Sequence, residues 1–163
     1  IMSPTSLRVV TRPFLLALAA FLATVLLGIA APAARAQGAG DKKADKPLYV
    51  EYKGVRIGMS PEDVRKKLGD PKDKSDAQDF FMFSDKETAQ VYYDKGKVMA
   101  VSVSYLGVKD APVPKSVFGT DIEPKADGGI FKLIRYPDAG YFVSYSKTAG
   151  DDPLVTVTMQ RIQ

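Results

Sequence analysis

The chain has 163 residues, with 23 Lys and Arg against 19 Asp and Glu, and it contains no cysteine and no histidine. Without cysteine there can be no disulfide, no thiolate metal site and no lipidated cysteine to anchor an exported lipoprotein. Without histidine the chain also lacks the commonest general base and metal ligand. We therefore predict no cofactor, no metal site and no lipid anchor.

Residues 1–36 have the composition of a secretory signal peptide. Arg8 and Arg12 form a positive start, and residues 14–30 form an apolar run. The run is shorter than the roughly 20 apolar residues that usually span a membrane. An uncleaved membrane anchor is the alternative, but we expect only transient membrane contact through this peptide.

Two small residues after the apolar run mark the expected cleavage site. Ala34 and Ala36 form the small-x-small pattern that fits the narrow subsites of signal peptidase. Cleavage would leave Gln37 as the first residue of the exported chain. We predict a bacterial protein that is periplasmic or secreted.

The predicted cleavage changes the charge of the protein. Residues 1–36 contain three of the 23 basic residues, Arg8, Arg12 and Arg35, and none of the acidic ones. The remaining chain would therefore be almost neutral. Nucleic-acid binding needs a basic stripe that neutralises phosphates, and we predict no nucleic-acid partner.

The segment after the signal peptide is predicted to be a flexible spacer followed by one domain. Residues 37–47 are Gly, Ala, Lys and Asp with one Gln and one Pro, and they have almost nothing to bury. Residues 48–163 contain the aromatic and β-branched residues that can form a core. This length suffices for a single domain.

A short helix is predicted after Gly58. Ser60 is a suitable N-cap, and Pro61 suits the first helical position. Val64 and Leu68 are four residues apart and would share the buried side of the helix. Gly69 is predicted to end the helix in the left-handed conformation.

An antiparallel β-meander is predicted after this helix. Strand-like runs cover residues 80–84, 88–94 and 97–106, with alternating apolar positions in the last of them. The polar segments 84–87 and 94–97 between these runs are turn-like, and the second one suits a tight hairpin.

The second half of the chain repeats this pattern at a spacing of about 50 residues. The matching segments are Leu68-Gly69 with Phe118-Gly119, Phe80-Phe81 with Ile130-Phe131, and Val91-Tyr-Tyr93 with Tyr141-Phe-Val143. Two unrelated meanders are the alternative to a duplication with units at 55–106 and 111–162. We predict an α+β fold with an antiparallel sheet of about six strands, built from two helix-plus-meander units with their short helices on one face.

The predicted helix region, Gly58 to Pro71, ends in Leu68-Gly69-Asp70-Pro71 and is followed by an aromatic strand. This pattern resembles the SmpA/OmlA (BamE-like) domain, and the resemblance covers residues 55–106. A duplicated unit of this kind is similar to the β-lactamase-inhibitor-protein-like fold. The first resemblance implies a role in outer-membrane or envelope assembly. The second implies inhibition of a periplasmic or secreted enzyme.

Alternation along the strands predicts an apolar sheet face under the helices and a second, mixed face. The apolar face is predicted to contain Phe81, Phe83, Val91, Tyr93, Val101, Val103, Tyr105, Phe131, Leu133, Tyr141, Val143, Val155 and Val157. Aromatic residues among small hydroxyl residues are typical of recognition surfaces. The candidate partner-binding residues on the mixed face are Tyr92, Ser102, Ser104, Tyr136, Phe142, Thr156 and Thr158.

Two motifs that could indicate chemistry have structural interpretations. Ser144 and Lys147 match S-x-x-K, but they lie in a predicted strand, where positions three apart point to opposite faces. Asp70, Asp73 and Asp76 could ligate calcium, but they lack the spacing of a calcium loop. We predict no catalytic residues and no enzyme activity.

The leading prediction is a non-catalytic protein-binding module of the cell envelope. One alternative is a carrier that holds a small ligand or lipid on the open sheet face, and another is an enzyme inhibitor. A mixed face that contacts only water is also open at this point. The sequence does not identify the partner, which we expect to be an envelope protein.

Cleavage before Gln37 can be tested directly. We expect N-terminal sequencing of the exported protein to begin at Gln37, because Ala34 and Ala36 are the only well-placed small pair after the apolar run. A chain that keeps residues 14–30 and stays in the membrane fraction would contradict this prediction.

Overall fold

The computed structural model of the chain describes residues 46–163. The predicted signal peptide, its cleavage site and residues 37–45 of the predicted spacer lie outside this range. The elements are α1 (Pro61–Leu68), β1 (Asp73–Lys74), β2 (Gln78–Met82), β3 (Glu87–Asp94), β4 (Lys97–Leu106), α2 (Pro114–Phe118), β5 (Ile130–Tyr136), a 3-10 turn (Pro137–Ala139), β6 (Tyr141–Lys147) and β7 (Leu154–Arg161).

All the strands belong to one antiparallel sheet with the order β1-β2-β3-β4-β7-β6-β5. The predicted α+β class is confirmed, but the sheet has seven strands, because the two-residue β1 also pairs with β2. At the centre, β4 and β7 pair from Ala100↔Gln160 to Leu106↔Leu154 and join the two halves of the chain. Within residues 46–163, no helix is long and apolar enough to cross a membrane.

The first helix begins as the sequence predicts. The Ser60 hydroxyl accepts a hydrogen bond from the Asp63 amide at 3.2 Å, and Pro61 occupies the first turn. The predicted left-handed end is wrong in one dihedral angle: Gly69 has φ 87° but ψ −164°. This extended region with positive φ is accessible essentially only to glycine, so the need for glycine is confirmed and its conformation is corrected.

The core lies on one face of the sheet, beneath both helices. Val64 of α1 and Val117 of α2 are fully buried and belong to the same core cluster. The buried strand residues of this cluster are Phe81, Ala89, Val91, Tyr93, Val98, Val101, Val103, Tyr136, Tyr141, Val143, Tyr145, Val155, Val157 and Met159. Small β-branched residues allow short helices to pack closely on the sheet.

The predicted face assignment is wrong in β5. Phe131 is 59% exposed, whereas Tyr136, predicted on the mixed face, is only 4% exposed. The cause is the pairing of β5 with β6, in which Tyr136 lies opposite the buried Tyr141. Because directly opposite residues project to the same face, a shift of one residue reverses a whole strand. Leu133 moves to the mixed face for the same reason.

One buried charge connects α1 to the sheet. Asp79 on β2 is fully buried, and it accepts hydrogen bonds from Nε and Nη2 of Arg65, both at 2.9 Å. The Tyr93 hydroxyl donates a third hydrogen bond at 2.7 Å. These bonds to Asp79 raise the pKa of Arg65, and burial together with the same carboxylate raises the pKa of Tyr93. The carboxylate therefore fixes α1 against β2 and β3.

Loss of Arg65 should be far more costly than loss of a surface arginine. Arg65→Met leaves the buried carboxylate of Asp79 without its ionic partner, and we expect the free energy of unfolding to fall by about 3 kcal/mol. The matched control is Arg56→Met, because Arg56 pairs with Glu51 on the surface, Nε to Oε2 at 2.7 Å. That change should cost less than about 1 kcal/mol. Equal losses in urea unfolding would show that the Asp79 contact does not hold α1.

Candidate functional site

The face of the sheet opposite the helices is the candidate site, and we call it the open face. On this face, residues that lie opposite one another on neighbouring strands form rows across the sheet from β2 to β5, and we call these rows rungs. The rungs are Gln78–Tyr92–Ala100–Gln160–Phe142–Arg135, Phe80–Gln90–Ser102–Thr158–Ser144–Leu133, and Met82–Thr88–Ser104–Thr156–Ser146–Phe131.

The centre of the open face is a band of hydroxyl groups. The Ser102 and Thr158 hydroxyl oxygens are 2.9 Å apart, and those of Ser104 and Thr156 are 3.2 Å apart. These four predicted site residues are therefore brought together in adjacent rungs across the β4–β7 pair. Cross-strand hydroxyl pairs of this kind stabilise a sheet. Because their side chains are short and neutral, the centre of the open face has no charged and no long side chain.

Two aromatic residues lie on either side of this band. Tyr92 on β3 and Phe142 on β6 are half-buried, and the Tyr92 hydroxyl donates to Oε1 of Gln90 at 2.7 Å. They belong to one rung but are separated by three inter-strand spacings, about 14 Å. Ala100 is one of the two residues between them. The structure thus places both predicted aromatic residues on the open face, but not in contact.

The outer ends of the open face are apolar, and at the β5 end the sequence analysis had placed Phe131 and Leu133 on the opposite face. Met82 on β2 is 53% exposed, and Phe131 on β5 is 59% exposed. Phe80 and Leu133 end the neighbouring rung. The exposure of Phe131 could have been predicted from the turn between Tyr136 and Tyr141, because pairing these two residues across the turn fixes the orientation of β5.

Tyr136 is not part of the open face. Its ring lies in the core, with its centroid 6.2 Å from that of Tyr141. Burial raises the pKa of the Tyr136 hydroxyl, since the charged form is poorly solvated there. Tyr136 therefore cannot contact a partner on the face that was predicted for it.

Two surface depressions lie elsewhere on the domain. One, of about 460 Å³, is lined by Glu51, Gly54, Arg56, Met59 and Lys67. The other, of about 260 Å³, is lined by Val108, Ala111, Pro112, Val113, Pro114, Ile130, Tyr145, Lys147 and Val155. Neither depression includes a residue of the open face.

Ser144 and Lys147 of the S-x-x-K motif lie in a strand, β6, as predicted. Ser144 belongs to the open face, whereas Lys147 pairs with Ile130 and Val155. Positions three apart in a strand point to opposite faces, so these two side chains do not converge. Among residues 46–163, no three side chains of His, Cys, Asp or Glu cluster as they would around a metal ion.

Comparisons with known proteins do not identify a family for this chain. No protein-family model matches the chain, and neither a curated protein nor a solved structure is significantly similar to it. The resemblance to the SmpA/OmlA domain stays a prediction, as does the duplication.

The corrected positions of Tyr136 and Tyr92 predict opposite results from the same substitution. Tyr136→Ser removes a core ring, and we expect it to lower the free energy of unfolding by about 3 kcal/mol. Tyr92→Ser removes a half-buried ring from the open face and should cost about 1 kcal/mol or less. Thermal melts of the two variants measure the difference. A larger loss for Tyr92→Ser would reverse the face assignment.

Proposed function

We propose that this chain is an exported, non-catalytic module of the bacterial cell envelope that binds another envelope protein on its open face. One observation carries the proposal. The open face has a neutral centre of paired hydroxyl groups, aromatic residues beside it, and exposed apolar side chains at both ends.

This composition suits a protein partner. Tyr92, Phe142 and Phe131 provide large apolar areas whose side chains have few rotatable bonds, so that ordering them costs little entropy. The Ser and Thr hydroxyl groups can exchange their mutual hydrogen bonds for bonds to a partner. Charged residues are depleted at the centres of protein interfaces, and two of the three rungs of the open face contain none, the third having only Arg135 at its end.

The shape of the face favours a protein over a small ligand. Pockets for small molecules are concave and bury most of the surface of the ligand. The two depressions described above are lined by residues outside the open face. The more apolar one, at about 260 Å³, is smaller than the usual 300–1,000 Å³, and the one of about 460 Å³ is lined mainly by charged residues, Glu51, Arg56 and Lys67. A protein partner needs no cavity, because a flat contact of about 800 Å² per partner is sufficient.

The non-catalytic part of the proposal rests on the hydrogen-bond partners of Ser102, Ser104 and Tyr92 on the open face. Ser102 and Ser104 bond to Thr158 and Thr156, not to a base. A nucleophilic hydroxyl needs a general base within hydrogen-bond distance. The Tyr92 hydroxyl donates to the side-chain carbonyl of Gln90, which is not a base either.

The envelope location depends on the predicted signal peptide and on the resemblance of residues 55–106 to the SmpA/OmlA domain. Both point to proteins that act beyond the cytoplasmic membrane. The open face is the part of the domain that could bind there, and the partner remains to be identified by experiment.

Capture from envelope extract tests the proposal. We expect Tyr92→Ser/Phe142→Ser, in protein purified from cells expressing the full chain, to remain folded and to lose at least tenfold in recovery of its partners. Each of two aromatic residues at the centre of an interface can contribute about 2 kcal/mol. The readout is quantitative mass spectrometry of the captured proteins, with a thermal melt of each variant.

The matched control is Val108→Ser/Val113→Ser. Both valines are more than half exposed, but they lie away from the open face. The control should capture the same proteins as the unmodified chain. If the open-face variant folds and captures them as well, the open face is not the working surface. If solvent extraction of the purified protein yields a bound lipid that the open-face variant lacks, the carrier alternative is favoured instead.

A further inference from the structure

The two edges of the sheet differ in length. On one side the edge strand is β1, which has only two residues, Asp73 and Lys74, both charged and exposed. On the other side the edge strand is β5, which has seven residues, Ile130–Tyr136. Native proteins usually shorten, cover or charge an edge to prevent pairing with another chain. Only the β1 edge is shortened in this way.

The hydrogen bonds of β6 show which of its residues bond to β7. The Ile162 amide donates to the Gly140 carbonyl at 2.9 Å, and the Thr148 amide donates to the Leu154 carbonyl at 3.0 Å. Residues of an antiparallel strand bond alternately to its two neighbours. The even-numbered residues of β6 therefore bond to β7, and the odd-numbered ones bond to β5.

The same alternation shows which groups of β5 point outward. The odd-numbered residues of β6 lie opposite the even-numbered residues of β5. The main-chain N–H and C=O groups of Phe131, Leu133 and Arg135 therefore point away from the sheet. None of the hydrogen bonds formed within residues 46–163 outside the strand ladders reaches these three residues.

We propose that the occupant of this edge is a second copy of the chain, whose β5 pairs antiparallel with the first β5 about a two-fold axis at Leu133. Leu133 then lies opposite Leu133 of the other copy, and Phe131 lies opposite Arg135. Each outward residue donates one hydrogen bond and accepts one, as in a regular antiparallel ladder.

The side chains of β5 are self-complementary in this register. Phe131, the most exposed large apolar residue of the sheet at 59%, meets the Arg135 guanidinium, which stacks well on an aromatic ring. Two leucines meet at the centre. Lys132 lies opposite Ile134, so that no like charges face each other.

The pairing would also extend the open face across both copies. Phe131, Leu133 and Arg135 end its three rungs, and each rung would continue directly into the rung of the other copy. This inference does not depend on the proposed partner of the open face, because it rests on the β5 edge alone.

Single cysteines test the pairing and its register, because the chain has none of its own. Opposite residues of a hydrogen-bonded pair have Cα atoms about 5.5 Å apart, which suits a disulfide. In protein from the full chain, we expect Leu133→Cys to form a covalent dimer under mild oxidation at least tenfold faster than Arg135→Cys. The two copies of residue 135 would be about 14 Å apart along the strands.

A mixture of two variants provides the register control. Phe131→Cys and Arg135→Cys should each cross-link slowly alone, but together they should give the heterodimer at the rate of Leu133→Cys. Asp151→Cys, in the exposed loop before β7, gives the rate of random collision. Cross-linking of Leu133→Cys at that random rate would overturn the proposal, and so would a mixture that reacts no faster than its components.

Sedimentation of uncross-linked protein gives an independent measurement. The unmodified chain should show a concentration-dependent monomer–dimer equilibrium. Leu133→Lys, which places two like charges at the centre of the contact, should raise the dissociation constant at least tenfold without lowering the melting temperature of the monomer. A chain that stays monomeric at every concentration overturns the proposal, as does a Leu133→Lys dimer of unchanged affinity. If Leu133→Lys does not fold, the cysteine variants decide the question.

Discussion

Within residues 46–163, the two α-helices have eight and five residues and can cover only one face of the seven-stranded sheet, and much of the described structure follows from this limit. Half of the buried strand residues on the covered face are valines, and six larger residues, Phe81, Tyr93, Tyr136, Tyr141, Tyr145 and Met159, fill the space between them. Neither of these helices covers the other face. Its side chains must be compatible with water and are therefore available for recognition.

A helix as short as α1 has little stability of its own, and its position depends on contacts with the sheet. Val64 provides the apolar contact with the core. The hydrogen bonds that Arg65 and Tyr93 donate to Asp79 fix the orientation of the helix on the sheet. A buried carboxylate is costly unless it is fully bonded, and here it accepts three hydrogen bonds from two elements. This requirement restricts α1 to one orientation more strictly than packing of valines would.

The open face and the β5 edge are two consequences of one arrangement. Because β4 pairs with β7, the strands of the second half lie outward from the centre of the sheet in the order β7, β6, β5, and β5 forms the edge. Residues that finish the open-face rungs therefore also carry the outward main-chain groups. A protein that binds on the face and one that adds a strand at the edge would meet at Phe131 and Leu133.

Local signals in the sequence determined the helix cap at Ser60, the need for glycine at residue 69, the hairpin at Lys95-Gly96 and the alternation of β3, β4, β6 and β7. These features depend on neighbouring residues or on a period of two, so they can be predicted from sequence. Alternation within β5 did not predict its orientation, because residues 130–134 are nearly all apolar and both faces look alike, and the local signal lay in the turn that follows. Only the pairing of Tyr136 with Tyr141 decided it. The burial of Asp79, the central β4–β7 pair and the position of β5 at the end of the described sheet also required the tertiary structure, since each depends on residues far apart in the chain.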